Sequence, residues 1–89
     1  MIPISQFIMK TCLTLMKCQV GDKIIIKTYK KDISIEITKG EETHEVKEAG
    51  YEHNLYKDVS ESELKKLLKQ LKEKEFPRSN QVWFKIQKG

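Results

Sequence analysis

The apolar positions of this 89-residue chain follow a helical period in one segment. Four leucines share the i, i+3, i+4 and i+7 spacing of one helix face: Leu64, Leu67, Leu68 and Leu71. Ser60 and Glu63 match a capping box, in which each side chain bonds to the other residue's backbone N–H. Pro77 ends the pattern, because the residue before a proline is pushed out of the helical region. The sequence therefore predicts an amphipathic helix over residues 60–75.

Other segments alternate with the period of two that is typical of a half-buried strand. Residues 23–30 are rich in β-branched side chains, and isoleucines alternate with polar residues over 33–38. A weaker third strand follows around 43–48, so that residues 23–48 are predicted to form a β-meander. A final strand is predicted at 81–87, where Val82, Phe84 and Ile86 alternate with Trp83 and Lys85.

Two segments have weaker patterns. Residues 1–20 favour an N-terminal helix, capped by Ser5 and with an apolar face that includes Phe7, Ile8, Cys12, Leu15 and Met16. A strand through Thr11, Leu13 and Leu15 is the alternative. Residues 49–58 show no clear period and are predicted to cross the domain as an irregular connection.

The predicted order is α-β-β-β-α-β, in one small α+β domain over residues 1–89. Its sheet has three or four antiparallel strands, and the helix at 60–75 packs on the face that carries Ile24, Ile35 and Phe84. The succession of a helix, a three-strand meander and a helix resembles double-stranded-RNA-binding domains and the small Alu-binding proteins of the signal recognition particle. The strand after Pro77 departs from both patterns, and the chain is assigned to neither.

Composition bounds the class of protein. Hydrophobic residues make up 38% and charged residues 34% of the chain, which is typical of a soluble globular domain. No apolar stretch approaches the roughly 18 residues of a membrane span. The N-terminal apolar run lacks the features of a secretory signal. We therefore expect a cytoplasmic protein with no membrane partner.

The net charge of +4 is distributed unevenly. Residues 1–40 are basic, 41–64 acidic and 65–89 basic, which suits a two-signed contact surface as well as a polyanion partner. Arg78 is the only arginine among 17 cations. Because bidentate recognition of phosphate and guanine favours arginine, this composition weakens the case for specific nucleic-acid recognition.

Residues that could carry chemistry form no recognised motif. Cys12 and Cys18 have neither zinc-site nor redox spacing and are interpreted as reduced, partly buried thiols. His44 and His53 lie among glutamates, but no nucleophile, glycine-rich loop or HExxH motif accompanies them. The sequence predicts no catalytic residue, no cofactor and no metal site, and hence a protein that is not an enzyme.

The sheet face opposite the helix at 60–75 is the candidate binding face, with two aromatic side chains among lysines. Its members are Lys27, Tyr29, Lys47, Trp83 and Lys85. Single-stranded nucleic acids stack on such aromatic side chains. Alternatively, the N-terminal helix covers this face, or two copies of the chain pack there sheet to sheet. The lysine run from Lys65 to Lys74 is a further, unspecific phosphate-binding candidate.

The leading functional hypothesis is a small non-enzymatic binding module that acts through protein–protein contacts, with a protein partner or a second copy in a homodimer. The alternative is binding of RNA or single-stranded DNA through the lysine, tyrosine and tryptophan residues of the candidate face.

Overall fold

A computed structural model describes all residues from 1 to 89. Two α-helices and a short 3-10 helix (Ile4–Gln6) combine with a six-stranded antiparallel sheet of order β1-β6-β2-β3-β4-β5. The helices are α1 (Phe7–Lys17) and α2 (Glu61–Glu75). The strands are β1 (Ile2–Pro3), β2 (Lys23–Lys27), β3 (Ser34–Thr38), β4 (His44–Ala49), β5 (His53–Val59) and β6 (Gln81–Gln87).

The predicted order and strand number are wrong. The main elements run α-β-β-β-β-α-β, and the sheet has six strands rather than three or four. Two strands were not predicted. The first is β5, which lies in the segment interpreted as an irregular connection. β5 is an edge strand and most of its side chains are exposed, so it lacks the apolar alternation by which strands are recognised. The register of its pairing with β4 is also irregular between His44 and Val46.

The other unpredicted strand is β1, which has only two residues and extends the opposite edge of the sheet. Ile2 pairs with Val82 of β6, and the Ile4 N–H donates to the Asn80 carbonyl at 2.8 Å. A two-residue strand has no period, so no sequence pattern could have revealed it.

Helix α2 begins with the predicted capping box. The Ser60 hydroxyl accepts from the Glu63 N–H at 3.3 Å, and the Glu63 carboxylate accepts from the Ser60 N–H at 3.4 Å. These bonds satisfy two donors that a helix N-terminus otherwise leaves unpaired. Leu64, Leu68 and Leu71 are buried, whereas Leu67 is half-buried.

The core lies between the helices and one face of the sheet. Ile24 pairs with Ile37, and Ile26 pairs with Ile35, across β2 and β3; all four side chains are fully buried. They belong to a single apolar cluster that includes the three buried α2 leucines together with Phe7 and Leu15 of α1. Both helices therefore cover the same face. We call the opposite side of the sheet the outer face.

The N-terminal segment forms a helix rather than the alternative strand. Phe7, Thr11 and Leu15 are its buried residues, and the Phe7 ring packs edge-on against Phe76 with centroids 5.8 Å apart. Ser5 lies in the 3-10 helix and does not cap α1. Because α1 lies beside α2, it does not cover the outer face. Neither helix is long and apolar enough to cross a membrane.

Truncation of Leu68 tests the core. Leu68→Ala is expected to lower the free energy of unfolding by about 2–5 kcal/mol, because a fully buried leucine loses its contacts and leaves a cavity. Lys69→Ala, at the next and exposed position, is the control and should change stability by less than about 0.5 kcal/mol. Urea denaturation of both variants gives the two values. Equal stabilities would contradict this packing.

Candidate functional site

The five residues of the candidate binding face all lie at the outer face. Lys27 on β2, Lys47 on β4, and Trp83 and Lys85 on β6 point away from the helices, as the pairing register requires. Tyr29 lies in the turn that follows β2. No element of the chain covers these residues.

Tyr29 and Trp83 form a stacked pair. Their ring centroids are 6.3 Å apart and their planes differ by 18°. The indole N–H of Trp83 donates to the backbone carbonyl of Tyr29 at 3.0 Å. Lys31 Nζ lies 5.0 Å from the Trp83 ring centroid, within cation–π range. We call Tyr29, Lys31 and Trp83 the aromatic platform.

The β2–β3 turn holds the platform in place. The Thr28 hydroxyl donates to the Asp32 carboxylate at 2.5 Å, and this bond is the main reason that the pKa of Asp32 lies below its usual value. The Lys31 N–H donates to the Thr28 carbonyl at 2.8 Å. Lys31 has a φ of 63°, a left-handed conformation that directs its side chain to Trp83. Lys31 was not predicted from the sequence, because strand alternation does not reveal a left-handed turn residue.

The remaining predicted residues are less closely grouped. Lys27 is the Cα partner of Trp83, and Lys85 follows two positions later on the same face. Lys47 is three strands from β6, a separation of roughly 14 Å at the usual strand spacing. Glu36 of β3 is the direct neighbour of Lys47. The structure thus brings Lys27 and Lys85 to the platform and leaves Lys47 apart.

The two histidines do not form a common site. His44 pairs with Val59, and His53 pairs with Ala49. The two pairs lie at opposite ends of the β4–β5 hairpin. His44 is buried, its Nδ1 accepts from the Gly40 N–H at 3.2 Å, and burial lowers its pKa. His53 is exposed. The structure contains no group of three histidine, cysteine or acidic side chains that could hold a metal ion.

A second surface lies on α1. Met9, Leu13 and Met16 follow each other at i, i+4 and i+7, on one side of the helix, and are 68%, 54% and 68% exposed. We call these three residues the α1 ridge. Met16 was predicted from the sequence to lie on the apolar face of α1, but its side chain is exposed to solvent. Val20, beyond the helix, is also exposed.

The α1 ridge borders an apolar groove between the two helices. Ile8 and Cys12 of α1 and Leu64 of α2 line the groove, and Glu61 and Lys65 of α2 form its far side. Cys12 and Cys18 are both free and half-buried, and burial raises the pKa of the Cys12 thiol. Side chains of both helices therefore border an apolar depression that solvent reaches.

A pair of buried carboxyl groups joins β4 to the end of α2. The Glu48 carboxylate accepts from Asn54 Nδ2 and from the Tyr56 hydroxyl, both at 3.1 Å, and Lys74 Nζ lies 3.2 Å from it. The Tyr51 N–H donates to one Glu75 oxygen at 2.9 Å, and the other Glu75 oxygen is buried without a partner. Both residues are nearly inaccessible.

The pKa values of the two carboxyl groups shift in opposite directions. Burial, and then the bond with Glu48, raises the pKa of Glu75. Burial would raise the pKa of Glu48 too, but hydrogen bonds from Glu75 and Asn54, followed by those from Lys74 and Tyr56, outweigh it and lower that pKa. As the pH falls, Glu75 therefore takes up a proton before Glu48 does. The pair is a structural link between β4 and the end of α2.

No protein-family model, curated protein or solved structure matches the chain. Its function is therefore proposed from the aromatic platform and the α1 ridge.

The raised pKa of Glu75 predicts a pH-dependent stability. Because the pKa of Glu75 is raised in the fold, the stability that its protonated form supplies is present below the unfolded pKa of glutamate and is lost as pH rises through the raised value. Glu75→Gln keeps a hydrogen-bond donor and cannot ionise, so its Tm should exceed that of the wild type by several degrees at high pH and not in acid. Thermal melts across pH measure this.

Glu73→Gln, an exposed change on the same helix, is the control and should melt in parallel with the wild type at every pH. Parallel melting of Glu75→Gln and the wild type would show that Glu75 is ionised in the fold.

Proposed function

We propose that this protein is a non-enzymatic binding module that acts through protein–protein contacts. One observation supports the proposal above the others: Met9, Leu13 and Met16 are three large apolar side chains, each more than half exposed, on one side of a single helix. Exposed apolar side chains that cluster, rather than occur singly, are typical of interaction sites.

The composition of α1 supports the same proposal. A helix that is apolar on nearly every side is usually buried on nearly every side. In α1, Lys10, Thr14 and Lys17 make a polar strip, and Phe7, Thr11 and Leu15 are buried in the core. Ile8 and Cys12 are half-buried against the core, so the α1 ridge is the apolar surface of the helix that is available to a partner.

We propose that the partner is a second copy of the chain, with the two α1 helices antiparallel across a two-fold axis. The uncharged α1 ridge supports this arrangement. Two copies that pack ridge to ridge bring no like charges together, and the groove beside the ridge has one acidic and one basic residue, Glu61 and Lys65. A two-fold axis perpendicular to α1 sets the two helices antiparallel, and the same patch serves both chains.

The size of the surface sets the expected strength. An 11-residue helix is about 16 Å long, so the contact falls at the small end of specific interfaces. Methionine side chains adapt to the surface that they meet, which suits such a contact. We expect a dissociation constant on the order of 10 µM, or about −7 kcal/mol.

A charge placed in the α1 ridge should prevent dimerisation. Leu13→Glu forces a carboxylate into the centre of the proposed contact, where an unpaired buried charge is costly, and should weaken the dimer at least tenfold. Its Tm at low protein concentration should stay near that of the wild type, because Leu13 is 54% exposed. Sedimentation velocity over a range of protein concentrations measures the association.

Leu55→Glu is the matched control. Leu55 is 53% exposed but lies on the outer face, opposite Lys47. The Leu55→Glu variant should dimerise like the wild type. Loss of the dimer in Leu55→Glu but not in Leu13→Glu would mean that the copies pack sheet to sheet instead. A wild type that stays monomeric well above 10 µM would remove the homodimer.

A further inference from the structure

We infer that the aromatic platform on the outer face binds single-stranded nucleic acid, with bases stacked on Tyr29 and the backbone lying along Lys27, Lys31 and Lys85. This inference goes beyond the proposed protein–protein contact. It rests on a different surface, and α1 and its ridge lie on the other side of the sheet.

The ring of Tyr29 is held in place before any ligand binds. The ring is 70% exposed, yet it is stacked on Trp83 and therefore does not move as a free side chain. Trp83 is fixed in turn by its hydrogen bond to the Tyr29 carbonyl. A base that stacks on Tyr29 therefore meets a ring that is already ordered, which reduces the entropy cost of binding.

The rings are surrounded by positive charge. Lys31 lies over Trp83, Lys27 is its cross-strand partner, and Lys85 is the next outward residue of β6. All three are free of ion pairs with acidic groups. Phosphates on either side of a stacked base would therefore find cations that need not leave another partner.

The kind of nucleic acid follows from the shape and the residue types. Reading a duplex requires an element that enters a groove, such as a helix or a two-stranded ribbon, whereas the platform lies on the face of a six-stranded sheet. Lysines contact phosphates without the planar fork that reads guanine. Stacking on aromatic rings accepts any base. The ligand is therefore single-stranded, with little sequence preference.

The lysines of α2 are the competing phosphate contacts. Lys66 and Lys69 are exposed on the helical layer, with no aromatic side chain in contact among the ring interactions of the structure. Binding to α2 would depend on charge alone. The two sites can be separated, because only binding at the platform depends on Tyr29.

The test measures affinity by fluorescence anisotropy of a labelled oligothymidylate of about 12 nucleotides, within the usual range of site sizes. Tyr29→Ala should weaken binding about 5- to 150-fold, the loss of one base–aromatic stack. The hydrogen bond of the Trp83 indole N–H survives this change, because its acceptor is the backbone carbonyl of residue 29. Tyr29→Phe should bind like the wild type, because the ring is retained.

Tyr51→Ala is the matched control, since Tyr51 is 76% exposed and makes no ring contact. It should bind like the wild type. Trp83 is the only tryptophan, so its fluorescence in the unlabelled wild type should be quenched by the same oligonucleotide. Unchanged emission at saturation would place the ligand away from the platform.

The lysines are tested through salt. Contact with three phosphates gives a slope of log K against log salt of about −2, and Lys27→Gln should reduce it by about 0.7. Lys66→Gln should leave the slope unchanged. The inference is overturned if no binding occurs at about 50 mM salt, if Tyr29→Ala and Tyr51→Ala bind equally, or if Lys66→Gln lowers the slope as much as Lys27→Gln.

Discussion

The contact between the leucines of α2 and the isoleucines of β2 and β3 is the interaction on which the rest of the structure depends. Ile24, Ile26, Ile35 and Ile37 are fully buried, and Leu68 lies against the same cluster. Because side chains alternate along a strand, burying these isoleucines turns Lys27, Glu36 and Lys47 to the other side. That side carries too many charges to pack against a second helix. Both helices must therefore share one face, and the other face is left to water.

Sharing one face limits how much of α1 can be buried. α2 buries three leucines against the sheet, and α1 lies beside it and buries Phe7, Thr11 and Leu15. The apolar residues of α1 that point elsewhere have no sheet left to cover. The α1 ridge is thus a consequence of the two-layer fold, in which two helices share one sheet face and part of α1 is left uncovered. It is not an isolated apolar side chain on a polar surface.

The sequence predicted what depends on a strong local period and missed what depends on neighbours. The capping box, the buried α2 leucines and the outward direction of Trp83 and Lys85 follow from spacing alone. β5 could not be predicted, because a strand at the edge of a sheet is held by backbone pairing with β4 and needs few apolar side chains.

The candidate surfaces show the same division. α1 is apolar over most of its circumference, so its sequence could not tell which side the fold would bury, and Met16 was assigned to the wrong one. Lys27, Tyr29 and Trp83 could be placed on one face, because every second residue of a strand points to the same side. Lys31 could not, because it reaches Trp83 through a left-handed turn. The buried carboxyl pair of Glu48 and Glu75 joins residues far apart in the chain, and no local pattern encodes it.

The two proposed surfaces lie on opposite sides of one sheet, and this arrangement has a physical consequence. A dimer that forms through α1 covers the α1 ridges of both copies and leaves both outer faces free. Two stacking platforms then belong to one particle and point away from each other, so a short oligonucleotide can reach only one. A strand long enough to pass around the particle can occupy both, and its second attachment is intramolecular. Weak stacking at each platform would then be compatible with tight binding of a long strand, and the gain would depend on strand length and on an intact α1 contact.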